Sequence, residues 1–122
     1  MSGVARLLGS RLEKSTRAMN DAERALAACR EGRLDEAVEL ARSILAGEPT
    51  HPPSISRLSH ALLGLGRVVE AEALAAFALR GAPGKPDLLT IRGEALDRLG
   101  SDQQALDCLV QATDSRLNDR TG

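Results

Sequence analysis

The side chains best suited to chemistry in this sequence are two histidines and two cysteines: His51, His60, Cys29 and Cys108. Cys29 and His60 would make a nucleophile and its base, but no orienting acid or oxyanion donor accompanies them. His51 stands next to Pro52, which indicates a solvated loop. A metal site needs about four ligands, and these widely spaced residues do not readily supply them. The sequence therefore predicts no catalytic residue, no cofactor and no metal, and we expect a protein that is not an enzyme.

Composition and charge disfavour several kinds of partner. The formal net charge of the chain is −1, and Phe77 is its one aromatic residue. The chain therefore offers neither a basic field nor a stacking surface for nucleic acid. No stretch approaches the roughly 20 apolar residues that cross a bilayer, and two cysteines are too few for a disulfide framework. We expect a cytoplasmic protein with reduced thiols.

The chain repeats every 34 residues, and the recurring positions carry small side chains. Three sets of positions share this spacing: Gly32, Gly66 and Gly100; Ala37, Ala71 and Ala105; and Ala25, Ser59 and Gly93. A glycine ends a helix cheaply in the left-handed conformation. Small residues let two antiparallel helices approach closely, and Pro49 and Pro83 would end the second helix of their units. The spacing predicts a unit of two helices, repeated three times.

This pattern resembles the tetratricopeptide repeat, a helix–turn–helix unit of 34 residues. The resemblance implies an all-α fold, a right-handed α-solenoid of three such repeats, with a short N-terminal helix before them. The repeats occupy residues 18–51, 52–85 and 86–119, with no insertion or deletion. We expect six helices in these repeats, near 21–31, 35–47, 54–65, 69–80, 87–99 and 102–115.

Residues 1–17 form a basic amphipathic segment before the repeats, and residues 120–122 form a short tail. The basic residues of the segment are Arg6, Arg11, Lys14 and Arg17, against the single acid Glu13, and its apolar residues near helical spacing are Val4, Leu7, Leu8 and Leu12. Three interpretations stay open: a helix that caps the first repeat, a frayed tail, and a segment with a membrane-surface or transit function.

The last predicted helix carries an apolar stripe made of Ala105, Cys108, Leu109 and Ala112. Solenoids need a polar capping element after their last repeat, and only part of this stripe can pack inside its own unit. Either another chain covers the stripe, or a longer protein continues beyond it. These four residues are therefore the predicted self-association surface, and a homodimer is one hypothesis.

In tetratricopeptide-like folds, the first helices of successive repeats line a concave groove that binds ligands. We aligned the three repeats with the family's repeat pattern and took the positions that line the groove in such folds. This resemblance implies twelve groove residues here: Ala22, Leu26, Cys29, Arg30, Ser56, Arg57, His60, Leu63, Thr90, Glu94, Asp97 and Arg98. Such a groove would suit a peptide or helix with an apolar end and mixed charge. Modules that clamp the acidic tails of heat-shock chaperones need basic groove residues, and Asp87 would repel a carboxylate at one of those positions. We do not expect that ligand class.

Three hypotheses about function follow from this pattern. The leading one is a protein-interaction module or scaffold that binds a peptide or partner helix of another protein in the groove. The second is a structural unit that self-associates through its uncapped last repeat. The third is a non-catalytic domain of a larger enzyme. Self-association predicts a solution mass above that of one chain, whereas groove binding alone does not.

Overall fold

The structure is a computed structural model that describes residues 17, 19–47 and 52–121, the last four by their backbone only. Regular structure within these residues is entirely helical. The helices are α1 (residues 19–30), α2 (Leu34–Leu45), α3 (Pro52–Gly64), α4 (Val68–Leu79), α5 (Pro86–Arg98) and α6 (Asp102–Thr121). They form the three predicted helix–turn–helix units in order. No helix of the described part is long and apolar enough to cross a membrane.

Each unit turns on a glycine whose backbone is left-handed, as the sequence predicts. The φ angles are 77° at Gly32, 84° at Gly66 and 84° at Gly100. The residue after each glycine then donates its backbone N–H to a carbonyl five residues earlier, at 2.8 to 2.9 Å: Arg33 to Ala28, Arg67 to Leu62 and Ser101 to Leu96. This hydrogen bond belongs to the Schellman motif, which satisfies carbonyls at the helix end. The same turn therefore occurs three times.

Arginines follow the first two turns and contact glutamates of the next helix. Arg33 pairs with Glu36, and Arg67 Nη2 lies 3.3 Å from Glu70 Oε1. A hydrogen bond to Glu31 is the largest of the interactions that raise the pKa of Arg33. The Arg33 pair is exposed, so it contributes little to stability, whereas the Arg67 pair is partly buried.

The core is built from Leu, Ile and Ala side chains between successive helices. Among α2 to α6, α4 packs on α2, α3 and α5, whereas α6 packs on α5 alone. The largest fully buried apolar side chains are Ile55, Leu58, Leu62, Leu74 and Leu88. The recurring small residues lie where two helices of a unit meet, and in the second unit Ser59 Oγ donates a 2.6 Å hydrogen bond to the Ala71 carbonyl.

The helix boundaries agree with the predicted ones to within about two residues, except at the end of α6. That helix was expected to stop near residue 115, and it continues to Thr121. The first two repeats have Pro49 and Pro83 after their second helix, whereas the third has Leu117 at the equivalent position. No proline or glycine interrupts residues 102–121, so nothing in the sequence stops the helix. The predicted segment 1–17 lies outside the described residues, apart from Arg17, which is helical and exposed.

Candidate functional site

A cavity of about 470 Å³ lies across α1, α3 and α5, the first helices of the three units. Its lining combines two apolar side chains, small hydroxyl residues and six charged or ionisable groups. The lining residues are Leu26, Arg30, Ser56, Arg57, His60, Asp87, Thr90, Ile91, Glu94 and Arg116. This cavity, called the groove below, therefore receives side chains from every repeat.

Seven of the twelve nominated groove residues line this cavity: Leu26, Arg30, Ser56, Arg57, His60, Thr90 and Glu94. Three others face the interior instead, because Ala22, Cys29 and Leu63 are buried in the core. Asp97 and Arg98 are exposed and do not line the cavity. Arg98 Nη1 donates a 2.9 Å hydrogen bond to the Leu63 carbonyl, so its side chain reaches back to the end of α3.

Burial has a chemical consequence at Cys29. The residue is 9% exposed, and desolvation raises the pKa of its thiol. A raised pKa keeps the thiol protonated, and the protonated thiol is a poor nucleophile. Cys29 therefore belongs to the core, and it does not line the groove with His60.

The groove carries charges of both signs that have no partner among the described residues. Arg30 and Arg57 are exposed on α1 and α3, and Asp87 and Glu94 are exposed on α5. None of the four makes an ion pair or a side-chain hydrogen bond within that part of the chain. Of these four charges, the two basic ones lie on α1 and α3 and the two acidic ones lie on α5.

Arg116 closes one end of the groove from α6, a helix that the register did not assign to the site. Its Nη2 donates a 3.3 Å hydrogen bond to Thr90 Oγ1, which in turn donates a 2.9 Å hydrogen bond to the Pro86 carbonyl. Arg116 lies beyond the predicted end of α6, so the longer helix brings it to the groove. The absence of a proline or glycine after residue 115 was the sequence signal that could have indicated a longer α6, and with it the place of Arg116 at the groove.

The predicted self-association stripe needs a correction. Ala105, Cys108 and Ala112 are buried in the fold, where Ala105 and Cys108 cluster with Leu96 of α5. These three side chains are not available to a second chain, and of the four predicted residues only Leu109 is exposed, at 37%. The reason is geometric, because the stripe on one face of α6 packs on its own unit.

Three helix pairs, joined by identical glycine turns and packed in chain order, define a helical-repeat solenoid of the tetratricopeptide type. Residues 28–76 match the family model described as tetratricopeptide repeat. Residues 28–76 are therefore similar to the tetratricopeptide repeat, and the fold of the described residues is of that type. A comparison with curated protein sequences found no match.

Two solved structures have a similar fold. One is the second TPR of Spaghetti (RPAP3) bound to HSP90 peptide SRMEEVD, with 19% identity, a TM-score of 0.70, and coverage of 92% of this chain and 96% of that one. The other is MamA MSR-1 C2, with 23% identity, a TM-score of 0.63, and coverage of 96% of this chain and 67% of that one. At these identities the likeness establishes the fold.

Proposed function

We propose that this protein is a cytoplasmic, non-catalytic interaction module that binds a peptide or a partner helix in the groove. The observation that carries the proposal is the lining of the groove. It combines side chains from the first helix of all three repeats with four exposed charges that lack partners within the described residues. Charges left unpaired around a cavity are available to a ligand, and opposite signs on different helices would fix the direction of that ligand.

The chemistry of the lining points to a ligand with an apolar anchor and mixed charge. Leu26 and Ile91 are the mostly buried apolar residues of the lining, so an apolar ligand side chain would contact them. An acidic ligand residue would pair with Arg57, and a basic one with Asp87 or Glu94. Such pairs give orientation and specificity more than raw affinity.

A peptide is supported as the ligand class by the fold. The second TPR of Spaghetti, which has a similar fold, is bound to an HSP90 peptide. The sequence SRMEEVD of that peptide is rich in acids, and Asp87 and Glu94 of the groove would repel a uniformly acidic tail. We therefore assign this groove a ligand of mixed charge.

A random peptide library displayed on phage and selected against the full chain tests the proposal. The affinities of selected peptides would then be measured by fluorescence anisotropy against two charge reversals, Arg57→Glu and Glu94→Arg. Each should weaken binding by about tenfold or more, because it replaces attraction by repulsion. The matched control is Arg42→Glu, since Arg42 is exposed on α2, outside the groove.

Peptide sequence supplies a second control. A peptide whose acidic residue is replaced by lysine should bind Arg57→Glu better than it binds the wild-type chain. The proposal fails if no peptide is enriched, or if both groove reversals leave the affinity as it is in Arg42→Glu.

A further inference from the structure

The outer face of α6 carries apolar side chains that are about half exposed. Leu106, Val110 and Leu117 are 56%, 50% and 53% exposed, and their spacing of four and seven residues places them on one side of the helix. This face is distinct from the buried stripe that packs on α5. It also takes no part in the groove, since Arg116 is the one described side chain of α6 that lines it.

The repeat register identifies this face as a surface for helix stacking. Leu106 occupies the position of Glu72, 34 residues earlier in α4. Glu72 Oε1 lies 3.2 Å from Arg92 Nε of α5, so the next helix covers that side of α4. Among α2 to α6, α6 contacts α5 alone. The outer face of α6 could therefore pack against one more helix, in the same way as α4 packs against α5.

The charges around this face favour a basic occupant. Asp102, Asp107 and Asp114 are exposed on α6, and none of them forms an ion pair with a described residue. Arg116 is the one basic side chain described on α6, and it is turned to Thr90 at the groove. A second α6 would add three more aspartates, and like charges in contact oppose association. A basic amphipathic helix complements both the apolar face and its acidic surroundings.

Residues 1–16 have the sequence pattern of such a helix. They include Arg6, Arg11 and Lys14 against Glu13, and the apolar residues Val4, Leu8 and Leu12 recur every four residues. We propose that residues 1–16 of one copy of this chain dock on the outer face of α6 in a second copy. The segment leads directly into α1, the first helix of the array, whereas α6 is the last. Units of a repeat array contact only their neighbours, so the contact joins two chains.

This contact is head-to-tail, because the two surfaces differ and every chain carries both. Such heterologous contacts build rings or open filaments of several chains. The proposal is independent of the proposed peptide binding, since no groove residue takes part in it.

Sedimentation velocity on the full chain and on two variants tests the contact. The wild-type mass should rise above that of one chain with concentration, as chains add to an open filament or close into a ring. Leu106→Gln with Val110→Gln removes the α6 face, and Leu8→Gln with Leu12→Gln removes the docking segment. Each variant alone should associate at least about tenfold more weakly. An equimolar mixture of the two should form a complex of two chains and nothing larger, because only one intact contact can form.

Val69→Gln is the matched control, because Val69 is 63% exposed on α4 and lies outside both surfaces. Circular dichroism should report the same helix content for all variants. Raising NaCl from about 0.05 M to about 0.5 M should weaken the association, because screening reduces attraction between opposite charges. The proposal is overturned if the wild-type chain stays monomeric. It is also overturned if the Leu8 and Leu12 variant associates as the wild type does, since a contact between two α6 helices would then explain the mass.

Discussion

Gly93 of α5 lies against Leu109 of α6 so closely that a Cβ atom at position 93 would be 2.8 Å from Leu109 Cγ. The equivalent pairs in the first two repeats are Ala25 with Ala41 and Ser59 with Ala75. The third repeat therefore uses a smaller residue in the first helix and a larger one in the second. The two changes compensate, because close-packed interiors tolerate substitutions that conserve volume.

Gly93→Ala should destabilise the wild-type chain more than it destabilises a chain that carries Leu109→Ala. In the wild type the added methyl group would also lie 3.3 Å from the Ala105 carbonyl, and overpacking costs about 1–3 kcal/mol. With Leu109 shortened, the 3.3 Å contact with the Ala105 carbonyl remains, and the better helix propensity of alanine, about 1 kcal/mol, offsets part of its cost. Urea denaturation of the four chains measures the coupling, and an equal effect of Gly93→Ala in both backgrounds would contradict it.

Gly66→Ala and Gly64→Ala should have opposite effects, although the residues are only two positions apart. No atom lies within 4 Å of a Cβ added at either position, so packing does not decide the result. Gly66 has φ of 84°, where an L-residue costs about 1–2 kcal/mol. Gly64 is the last residue of α3, where alanine should be neutral or stabilise by up to about 1 kcal/mol. Thermal unfolding followed by circular dichroism compares the two, and equal melting temperatures would refute the argument.

The sequence predicted the fold because the period of 34 residues is carried by positions with strict steric demands. The turn of each unit needs a left-handed residue and each close helix contact needs a small one, so these residue types recur at a fixed spacing. The turns at Gly32, Gly66 and Gly100 are confirmed by their φ angles. The end of α6 was predicted wrongly, because the proline that should mark it is replaced by Leu117.

The groove residues were harder to predict than the fold. The position of a residue within its repeat determines its place on a helix, but it does not determine whether its side chain reaches a cavity. Ala22 and Leu63 point into the core although their register nominated them. Arg116 comes from a second helix, and the family pattern assigns groove residues to first helices only. Its contact with Thr90 depends on the length of α6 and on a long side chain, neither of which a repeat pattern specifies. The ligand of the groove stays a prediction.

Arg116→Ala should weaken binding of a selected peptide while it leaves the fold intact. The side chain is exposed and its 3.3 Å hydrogen bond to Thr90 is near the surface, so its loss should change the free energy of unfolding by no more than about 0.5 kcal/mol. A charge at the end of the groove would contact the ligand, and its removal should reduce affinity about three- to tenfold. Anisotropy titrations measure this, with Arg42→Ala as the control. An unchanged affinity would mean that Arg116 does not belong to the site.

Ser59→Ala and Ser59→Leu should distinguish the contribution of the hydrogen bond to stability from that of close packing between α3 and α4. Ser59 is fully buried and donates to the Ala71 carbonyl at 2.6 Å. Alanine removes the donor and fits the space, as Ala25 does in the first repeat, so the cost should be about 0.5–1.5 kcal/mol. Leucine forces the two helices apart and should cost more, at least about 2 kcal/mol. Denaturant unfolding ranks the variants, and an equal loss for both would show that packing is not limiting there.

The stability of the chain should fall at alkaline pH through Cys29. Desolvation raises the pKa of this thiol in the folded chain above its ordinary value. Between the two pKa values the unfolded thiol has lost a proton that the folded thiol keeps, so unfolding becomes easier as pH rises past about 8.5. Below that pH both states are protonated, and the stabilising effect is fully present.

Cys29→Ala should therefore flatten the alkaline loss of stability. The chain has no tyrosine, which leaves few other groups that titrate in this range. Urea unfolding of both chains at about pH 7 and about pH 9.5 measures the difference, because the steeper loss in the wild type reports the proton released on unfolding. Iodoacetamide should also label Cys29 slowly in the folded chain and rapidly in urea, since the thiolate is the reacting form. Parallel losses of stability in both chains would show that Cys29 does not cause the pH dependence.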